Sequence, residues 1–415
     1  MKLDFHPESH MMTHGYKPEL SEGAIKPPVF QTSTFVFKTA EEGKAFFEAA
    51  YGLRNPEPNE ELGLIYSRIN NPNLQILEER LCLFEGVEEC AFFVSGMSAI
   101  STVMLEFLKP GDLLLYSLPL YGGTDHFINH FLSSIGVKSL GFRPDQTKEE
   151  IIKMVDESGM AHNLSLIYVE TPANPTNSLI DIRMCSEIAD HFKDQNRSVY
   201  LAVDNTYMGP LWSKPHQCGA DIVIYSATKY IGGHSDLLAG AVLGSSDIML
   251  RIKTLRTFLG NRASPHTSWL LMRSLETLKL RMEQQARNAK KVAEYLRRHP
   301  KISKLYYLGF LNESSKDYEI YQKQYSSPGA MLAFEIEGNE TEAFRFLNNL
   351  KLIKLAVSLG STESLVQHPA SMTHIAMCPD LKKSIGITDS LVRLSIGVEH
   401  FEDLIKDIGA ALDAV

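Results

Sequence analysis

The sequence has few cysteines and no long hydrophobic run. Five cysteines are scattered along 415 residues and none forms a Cys-x-x-Cys pair, which argues against a disulfide scaffold and against a cysteine-based zinc site. No window approaches the roughly 18 apolar residues of a membrane span, and residues 1–7 lack the apolar segment of a signal peptide. We therefore expect a reduced, cytoplasmic protein that makes no membrane contact.

Positive charge is also scarce. The chain has 41 Lys and Arg against 50 Asp and Glu, a formal net charge of −9, and no basic stripe, so we expect no nucleic-acid partner. Hydrophobic residues make up 44% of the chain and charged residues 22%, as in ordinary globular proteins. The length suits about two domains of roughly 100–200 residues each.

One histidine pattern resembles a metal site. His6, His10 and His14 stand four residues apart, which is the spacing of ligands on one helix face. Pro7 and Gly15 interrupt the pattern, no acidic fourth ligand is obvious, and we expect this segment not to be helical. The sequence therefore predicts no metal.

The patterning divides the chain into three parts. Residues 1–70 have little periodicity and many turn-forming residues, which suits an extended arm lying on a neighbouring subunit. From residue 71 to 279, short apolar runs alternate with helical patterns, which is typical of a mainly parallel α/β sheet covered on both faces. An amphipathic helix around 269–299 leads into a smaller α/β C-terminal domain, 280–415.

Apolar runs locate the expected strands of this α/β fold. Several are followed by glycine, hydroxyl residues or a carboxylate, as expected where a parallel strand ends at a ligand site. The predicted strands are 91–94, 113–116, 164–169, 199–203, 222–224 and 239–243 in the large domain, and 331–336 and 391–396 in the small one.

The most informative segment is Tyr225-Ser226-Ala227-Thr228-Lys229-Tyr230. Lysine forms imines with carbonyl compounds when it is desolvated or lies near other cations. Hydroxyls at Ser226 and Thr228 can bind phosphate oxygens, and Asp204, which closes an earlier strand, can pair with a heterocyclic cation. A Ser-x-Thr-Lys string alone is common, but together these residues are the parts of a pyridoxal-phosphate (PLP) site.

Two more segments add to this site. Gly96 and Met97 follow a predicted strand and open a helix, where backbone N–H groups bind anions; a plain strand–helix turn is the alternative. Tyr121 follows another strand and could stack on the cofactor ring and take part in proton transfer, although it could equally be an ordinary surface tyrosine.

Two arginines have anion-binding potential. Arg68, with Tyr66, lies at the end of the arm and could bind phosphate, although such a residue is more often a solvated surface arginine. Arg393 lies inside an apolar strand pattern, where a buried guanidinium needs an anionic partner. A substrate carboxylate or a structural salt bridge would supply that partner.

On these segments the chain resembles the Cys/Met-metabolism (trans-sulfuration) family of PLP enzymes, which includes cystathionine and methionine lyases, cystathionine γ-synthase and O-acylhomoserine sulfhydrylases. The resemblance spans nearly the whole chain in the family's order. The matching segments are Tyr66-Ser67-Arg68 with Asn71-Pro72, Ser95-Gly96-Met97, Leu120 to Thr124, Glu170 to Pro175, Val203 to Tyr207, Ser226 to Tyr230 with Gly233 to Asp236, Ala356 to Gly360, Met372-Thr373-His374 and Arg393-Leu394-Ser395.

The resemblance implies a role for each candidate residue and a PLP-dependent transferase fold of type I, like that of aspartate aminotransferase. It also implies a homo-oligomer, usually a dimer of dimers, because one element of the site comes from the neighbouring subunit. The resemblance implies that Lys229 forms the imine with PLP and transfers protons, that Asp204 binds the ring nitrogen and that Tyr121 stacks on the ring. It implies that the phosphate is bound by Gly96, Met97, Ser226 and Thr228, joined by the neighbour's Tyr66 and Arg68. It implies that Arg393, with Asn174 and Ser358, binds the substrate carboxylate.

The implied activity is cleavage of the C–S bond of cystathionine or a related sulfur amino acid by α,β- or α,γ-elimination. The alternatives are a γ-replacement synthase, a methionine γ-lyase and, outside enzymes, a PLP-binding regulatory protein. The regulatory protein is disfavoured because a pure binding protein has no use for the whole catalytic set, which is intact here: Lys229, Asp204, Tyr121 and Arg393.

Three departures from the family pattern concern the substrate. Gly123 stands where methionine γ-lyases carry a cysteine, which argues mildly against that activity. Val357 stands where family members with γ-chemistry on cystathionine often carry a glutamate, which argues mildly against those. Residues 50–65 form a longer, acidic segment, and we expect it to lie near the neighbouring subunit's site and to narrow or charge the substrate entrance.

Overall fold

Two β-sheets organise the chain. The computed structural model describes residues 5–50, 52–54, 63–195, 197–375 and 377–415. The larger sheet contains β1 (Glu89–Phe93), β2 (Leu113–Ser117), β3 (Lys138–Phe142), β4 (Leu164–Glu170), β5 (Tyr200–Asp204), β6 (Ile222–Tyr225) and β7 (Gly240–Gly244). The smaller sheet contains β8 (Ile302–Tyr306), β9 (Met331–Ile336), β10 (Lys354–Leu355), β11 (Leu365–Gln367) and β12 (Leu391–Ser395).

The larger sheet is mainly parallel. Its strand order is β1-β7-β6-β5-β4-β2-β3, and only the pairs β1–β7 and β7–β6 are antiparallel. In β4 and β5, Val169 lies opposite Val203 and Glu170 opposite Asp204. Two carboxylates therefore lie side by side at the carboxyl ends of neighbouring strands, the edge of a parallel sheet where ligands bind.

Helices cover both faces of this sheet, as the near-continuous apolar strands require. Along β5, Leu201 and Val203 pack into one buried hydrophobic cluster and Ala202 into another. The α-helices of the whole described chain, including those beside the smaller sheet, are α1 (Pro7–His10), α2 (Ala40–Ala50), α3 (Pro72–Glu85), α4 (Gly96–Phe107), α5 (Gly122–His126), α6 (Lys148–Glu157), α7 (Ile182–Phe192), α8 (Gly209–Trp212), α9 (Ser246–Leu259), α10 (Pro265–Leu275), α11 (Leu278–Leu296), α12 (Lys316–Gln324), α13 (Glu340–Asn349), α14 (Pro379–Ser384) and α15 (Phe401–Asp413).

The α/β class expected from the sequence is confirmed, with a second, smaller sheet in strand order β10-β11-β12-β9-β8. All eight predicted strands are present. The structure adds β3, β8, β10 and β11, whose sequences are short or carry lysines that interrupt the apolar pattern. Among the described residues, no helix is both long enough and apolar enough to cross a membrane.

Two helical expectations were wrong in detail. The long helix expected over 269–299 is two helices, α10 and α11, separated at Glu276 and Thr277. At this break the carbonyl of Ser274 accepts a hydrogen bond from the Arg281 side chain (3.0 Å), and Glu276 pairs with Lys26 of the N-terminal segment. The break is thus accompanied by one local contact and by one contact that is distant in sequence.

The N-terminal segment is only partly extended. It contains the one-turn helix α1, where no helix was expected, and α2 over Ala40–Ala50. The carboxylate of Glu42 accepts a hydrogen bond from the backbone N–H of Lys38, while Thr39 accepts one from the N–H of Glu42 (3.1 Å). These reciprocal bonds start α2 as a capping box does.

Candidate active site

A cavity of about 640 Å³ lies at the carboxyl ends of β4, β5 and β6 and is closed on another side by residues of the smaller sheet. Ten of the twelve residues that the sequence suggested as site residues line it. They are Gly96, Met97, Tyr121, Asn174, Asp204, Ser226, Thr228, Lys229, Ser358 and Arg393.

Lys229 follows β6 and extends its ammonium group into the cavity. Its Nζ donates a hydrogen bond to Ser358 Oγ at 2.9 Å. Burial, and to a lesser extent the charge of Arg393, lowers the pKa of Lys229 to about 8. At pH 7 roughly a tenth of this side chain is therefore the neutral amine, far more than for an ordinary lysine. The neutral amine is the form that reacts with a carbonyl carbon.

Asp204 closes β5 and is buried. Its Oδ1 accepts from the backbone N–H of Thr206 at 3.0 Å, and its Oδ2 accepts from the Tyr168 hydroxyl at 3.1 Å. Burial raises the pKa of this carboxyl, against the opposing effect of those hydrogen bonds. A cation next to Asp204 would relieve the cost of burying the carboxylate.

An anion cradle lies where α4 begins. Ser95 caps this helix, accepting from the N–H of Ser98 at 3.1 Å, and first-turn N–H groups such as those of Gly96 and Met97 have no partner inside the helix. A Cβ atom at Gly96 would lie only 2.8 Å from Ser226 Cβ. The glycine therefore allows the helix N-terminus and the Ser226 hydroxyl to surround the same space.

Thr228 is bound locally. Its hydroxyl accepts from the N–H of Ala239 at 3.0 Å and donates to the carbonyl of the same residue at 3.2 Å. This pair of bonds fixes the turn that carries Lys229, and Thr228 is among the residues that line the cavity.

Arg393 lies on β12 and is buried. It donates from Nη1 to Asn174 Oδ1 at 3.1 Å and from Nη2 to the Ser358 carbonyl, whereas its Nε has no hydrogen-bond partner among the described residues. Ser358 has a φ of 140°, a conformation costly for a residue other than glycine and concentrated at functional sites. In the described part of the chain, the guanidinium is thus positioned by neutral polar neighbours and forms no ion pair.

Tyr121 presents a half-exposed ring to the cavity, and its backbone is held by a residue that the sequence did not single out. The N–H of Tyr121 donates to Glu170 Oε2 at 2.7 Å, and the N–H of Asn174 donates to Glu170 Oε1 at 3.3 Å. Burial, reinforced by the charge of Asp204, raises the pKa of Glu170, whereas the two backbone N–H donors oppose this rise by stabilising the carboxylate. Its position after a predicted strand and at the start of a segment that matches the family indicated Glu170, but neither signal assigned it a role.

Tyr66 and Arg68 do not line the cavity of their own chain. Arg68 stacks against the Tyr66 ring, with its Cζ atom 5.7 Å from the centroid, and donates to the carbonyl of Thr257 at 2.9 Å. Both side chains are exposed. The two residues therefore lie together, apart from the other ten.

The cavity fits PLP on the chemistry of its donors. It offers a lysine with a lowered pKa for the aldehyde, an anion cradle for the phosphate, a buried carboxylate for the ring nitrogen, and an arginine without an anionic partner. Within the described chain, no cluster of three or more His, Cys, Asp or Glu is arranged to hold a metal ion, and none of the five cysteines, all described, lines the cavity.

The expected segment 50–65 largely falls outside the description. Residues 51 and 55–62 are not among the described residues, so its proposed position at a neighbouring entrance stays a prediction. The two substrate-related departures are visible: Val357 lines the cavity and its side chain is 58% exposed, whereas a Cβ atom at Gly123 would lie 2.6 Å from Cε1 of the Tyr121 ring.

The chain matches known proteins along almost its full length. A family described as Cys/Met metabolism PLP-dependent enzyme matches residues 8–413. The L-methionine gamma-lyase of Porphyromonas gingivalis is 41% identical over 404 residues, 97% of this chain and 96% of that protein. The cystathionine gamma-lyase of Bacillus subtilis is 36% identical over 407 residues, 98% of this chain and 99% of that protein.

Solved structures agree. A cystathionine gamma synthase from Xanthomonas oryzae in complex with cystathionine has a TM-score of 0.86 at 31% identity and covers 99% of both chains. A cystathionine gamma-lyase from Lactobacillus plantarum complexed with L-serine has a TM-score of 0.85 at 31% identity, with 99% of both chains covered. By sequence, by fold and by the residues gathered in its cavity, this chain belongs to the Cys/Met-metabolism family of PLP-dependent enzymes.

Proposed function

We propose that this chain is a lyase that cleaves the C–S bond of a sulfur amino acid, with α,γ-elimination preferred over α,β-elimination. The observation that carries the proposal is the position of Lys229, whose amine with a lowered pKa lies 2.9 Å from Ser358 and shares the cavity with Arg393. One amine can therefore reach several atoms of a substrate held by its carboxylate. The preference for γ-elimination rests on the similarity to methionine and cystathionine γ-lyases.

Residues around the cavity would hold the cofactor at both ends. The first-turn N–H groups of Gly96 and Met97 and the hydroxyls of Ser226 and Thr228 suit the phosphate. Asp204 suits the ring nitrogen, whose proton it would hold by a charge-assisted hydrogen bond. When bound, PLP supplies an electron sink that stabilises negative charge next to the substrate's amine.

The substrate would be held by its α-carboxylate. Arg393 has an unpartnered Nε and two Nη atoms already positioned by Asn174 and Ser358. A carboxylate here would neutralise a buried guanidinium that forms no ion pair within the described part of the chain, which favours binding. The Tyr121 ring would cover one face of the cofactor.

Proton transfer falls to Lys229. As a neutral amine it can remove the proton from the substrate Cα. For γ-elimination it would first deliver that proton to the bound cofactor and would then remove one from Cβ. The sulfur on Cγ would leave as a thiol by taking up a proton. Its contact with the Ser358 hydroxyl keeps the amine on the side of the cavity where Arg393 anchors the carboxylate.

Val357 supports a substrate with an uncharged sulfur substituent. It is an apolar, 58% exposed wall residue next to Ser358, and it offers no charge for a distal ammonium. Glu363 also lines the cavity, and the bond that its carboxylate accepts from the Ser235 hydroxyl leaves its negative charge in place. Val357 therefore favours methionine-like substrates over cystathionine, while Glu363 and Gly123 count in the other direction.

The experiment is to supply L-methionine and, separately, L-cystathionine to the purified, PLP-loaded protein and to identify the keto acid. 2-Oxobutyrate would support γ-elimination, and the better substrate would decide between the two γ-lyases. Pyruvate with homocysteine from cystathionine would replace the proposal with β-elimination. The matched control is Lys229→Ala, which should form neither keto acid.

A γ-replacement synthase is the second candidate, favoured by the similarity to cystathionine γ-synthase structures. If neither amino acid yields a keto acid, O-acylhomoserine with a thiol is the next substrate pair to test. Formation of a thioether from that pair would establish the synthase. Binding of PLP without turnover of any of these compounds would favour the regulatory protein.

We also propose that the active unit is at least a dimer, in which Tyr66 and Arg68 complete the phosphate site of a neighbouring subunit. Their exposure and their distance from their own cavity support this arrangement. Mixing Lys229→Ala with Arg68→Ala subunits should restore activity, because some sites then have an intact lysine and an intact arginine. Mixing Lys229→Ala with Asp204→Ala is the control and should restore none.

The division into an arm (1–70), a PLP-binding domain (71–279) and a small domain (280–415) is part of the same proposal. It is supported by the two sheets, which are built from residues on either side of helix α11. The dimer of dimers and the cytoplasmic location stay predictions. Sedimentation of the PLP-loaded protein would test the assembly.

A further inference from the structure

The Glu170 carboxylate bridges two loops that carry different parts of the candidate site. One oxygen accepts from the N–H of Tyr121, in the loop after β2, and the other accepts from the N–H of Asn174, in the loop after β4. The backbone of Glu170 is itself fixed, because its N–H donates to Ser117 Oγ at 3.0 Å at the end of β2. One buried side chain thus joins the ends of two strands and the segments that follow them.

These two segments face different ligands in the proposed enzyme. Tyr121 presents its ring to the cofactor, whereas Asn174 binds Arg393 through its side-chain oxygen at 3.1 Å. A displacement of either loop would pull on the same carboxylate. The contact that orients the ring and the contact that orients the carboxylate-binding arginine are therefore mechanically linked.

We propose that Glu170 is a positioning residue that sets the Tyr121 ring and the Asn174–Arg393 pair at a fixed separation, so that cofactor stacking and substrate-carboxylate binding are coupled. This rests on the proposed function for its substrate side. A carboxyl group is required because two backbone donors converge on it, and only a group with two acceptor oxygens serves both. An amide of the same shape has one acceptor and would turn an N–H donor toward the other N–H.

The primary test is Glu170→Gln in the PLP-loaded protein. The variant keeps the side-chain shape and loses one of two backbone contacts, so we expect at least a tenfold rise in KM and an altered circular dichroism of the bound cofactor in the visible range. The dissociation constant of PLP, measured by titration of the apoprotein, should also rise. A merely structural role would lower the unfolding temperature and leave all three unchanged.

Asp407→Asn is the matched control. Asp407 lies on α15, and its carboxylate accepts from the N–H groups of Lys351, Leu352 and Ile353 at 2.9–3.0 Å, outside the cavity. The same chemical change there should lower stability without altering KM or the cofactor signal. An equal rise in KM in this control would overturn the inference, because the effect would then reflect general destabilisation.

Two further variants keep the inference testable if Glu170→Gln folds poorly. Ser117→Ala removes the acceptor for the Glu170 backbone and should move the same signals in the same direction by a smaller factor. In Asn174→Ala, adding Glu170→Gln should raise KM by less than it does in the wild type, because coupled residues are not additive. Strictly multiplicative effects would contradict the coupling.

Failure of the proposed function is distinguishable from failure of this inference. The circular dichroism and the PLP titration need no turnover, so they report on Glu170 even if no sulfur amino acid is cleaved. An unchanged cofactor signal in correctly folded Glu170→Gln would reject the inference, whatever the substrate proves to be.

Discussion

Two of the regions that bury charges in this molecule satisfy those charges in opposite ways. Between α3, α9 and β1, Glu78 pairs with Arg256 at 2.6 Å and accepts from the N–H of Phe92 at 2.9 Å, with Lys253 at 3.8 Å from its other oxygen. Around the cavity, Lys229 and Arg393 contact only neutral oxygens within the described chain.

This difference distinguishes charges that stabilise the fold from charges that serve a ligand site. A buried ion pair is costly to break because its partner is left charged and unsatisfied. A buried charge without a counter-ion lowers stability in the free protein, and it is retained where a ligand supplies the missing charge. We therefore expect substitutions in the cavity to cost activity with little cost in stability, and substitutions at Glu78 or Arg256 to do the reverse.

The largest effect is expected for Lys229→Ala. Keto-acid formation should fall by more than about 10³-fold, since a positioned general base alone contributes 10²–10⁴-fold. The unfolding temperature of the apoprotein should stay the same or rise, because the change removes a buried amine without an ionic partner. Parallel measurements of rate and thermal unfolding would check both. A large loss of stability in this variant would contradict the proposed difference between the cavity and the Glu78–Arg256 region.

Arg393→Met should have the next largest effect on activity. Removal of the guanidinium takes away the proposed partner of the substrate carboxylate, and KM should rise by about 100-fold, as for loss of a charged hydrogen-bonding partner worth 2–5 kcal/mol. Arg251→Met is the control, because Arg251 lies outside the cavity, packs on Phe107 and pairs with Glu106 at 2.9 Å. Its KM should stay within about twofold of the wild type.

Arg256→Met should show the opposite pattern. It leaves Glu78 buried beside the more distant Lys253, and the free energy of unfolding should fall by about 3–5 kcal/mol, as when one partner of a buried pair is removed. Activity per folded molecule should be nearly unchanged at low temperature. Denaturant unfolding together with active-site titration would measure the two quantities. A higher KM or a lower kcat without a loss of stability would contradict a structural role for Arg256.

The smallest effect concerns the pH dependence of Lys229. Its pKa of about 8 in the folded apoprotein lies below the ordinary lysine value of about 10.4. Competitive labelling of the apoprotein with an amine reagent should thus give a midpoint near pH 8 for Lys229. Lys279, whose pKa is raised by its hydrogen bond to Glu8, is the control and should titrate above the ordinary value.

The same shift has a consequence for stability. Between pH 8 and the ordinary lysine value, the unfolded chain retains the proton that folded Lys229 has lost. The contribution of this lysine to the free energy of unfolding therefore rises with pH across that window. The increase should disappear in Lys229→Ala apoprotein, as denaturant titrations at several pH values would show.

Much of the fold was predictable because the pattern is local. Strands β4, β5 and β6 are continuous apolar runs, and their ends carry the residues that the sequence suggested as a site. The edge strand β3, with Lys138 exposed at its start, lacks such a run, because an edge strand needs burial on fewer sides. The break between α10 and α11 carries no glycine or proline that would mark it in the sequence, and one of its contacts joins Glu276 to Lys26, 250 residues away.

The candidate site was predictable only in part. Lys229, Asp204 and Ser226 stand in recognisable segments, whereas Glu170 is one carboxylate among many until the fold brings Tyr121 and Asn174 to its two oxygens. For Arg68 the limit is the opposite one, because the sequence suggested a role that the structure of one chain does not test. Its role beside a neighbouring subunit came from the family resemblance, and the residue's distance from its own cavity supports that role without testing it.

The placement of cysteines bears on how the protein would tolerate its own product. The proposed reaction releases a thiol inside the cavity, where oxidised thiols could form mixed disulfides with any nearby cysteine. The cavity has no cysteine in its lining, and burial raises the pKa of Cys90 and Cys185, which makes both poor nucleophiles. Mixed disulfides should therefore accumulate first on exposed Cys378, which does not line the cavity, and the lining residues should stay free of them.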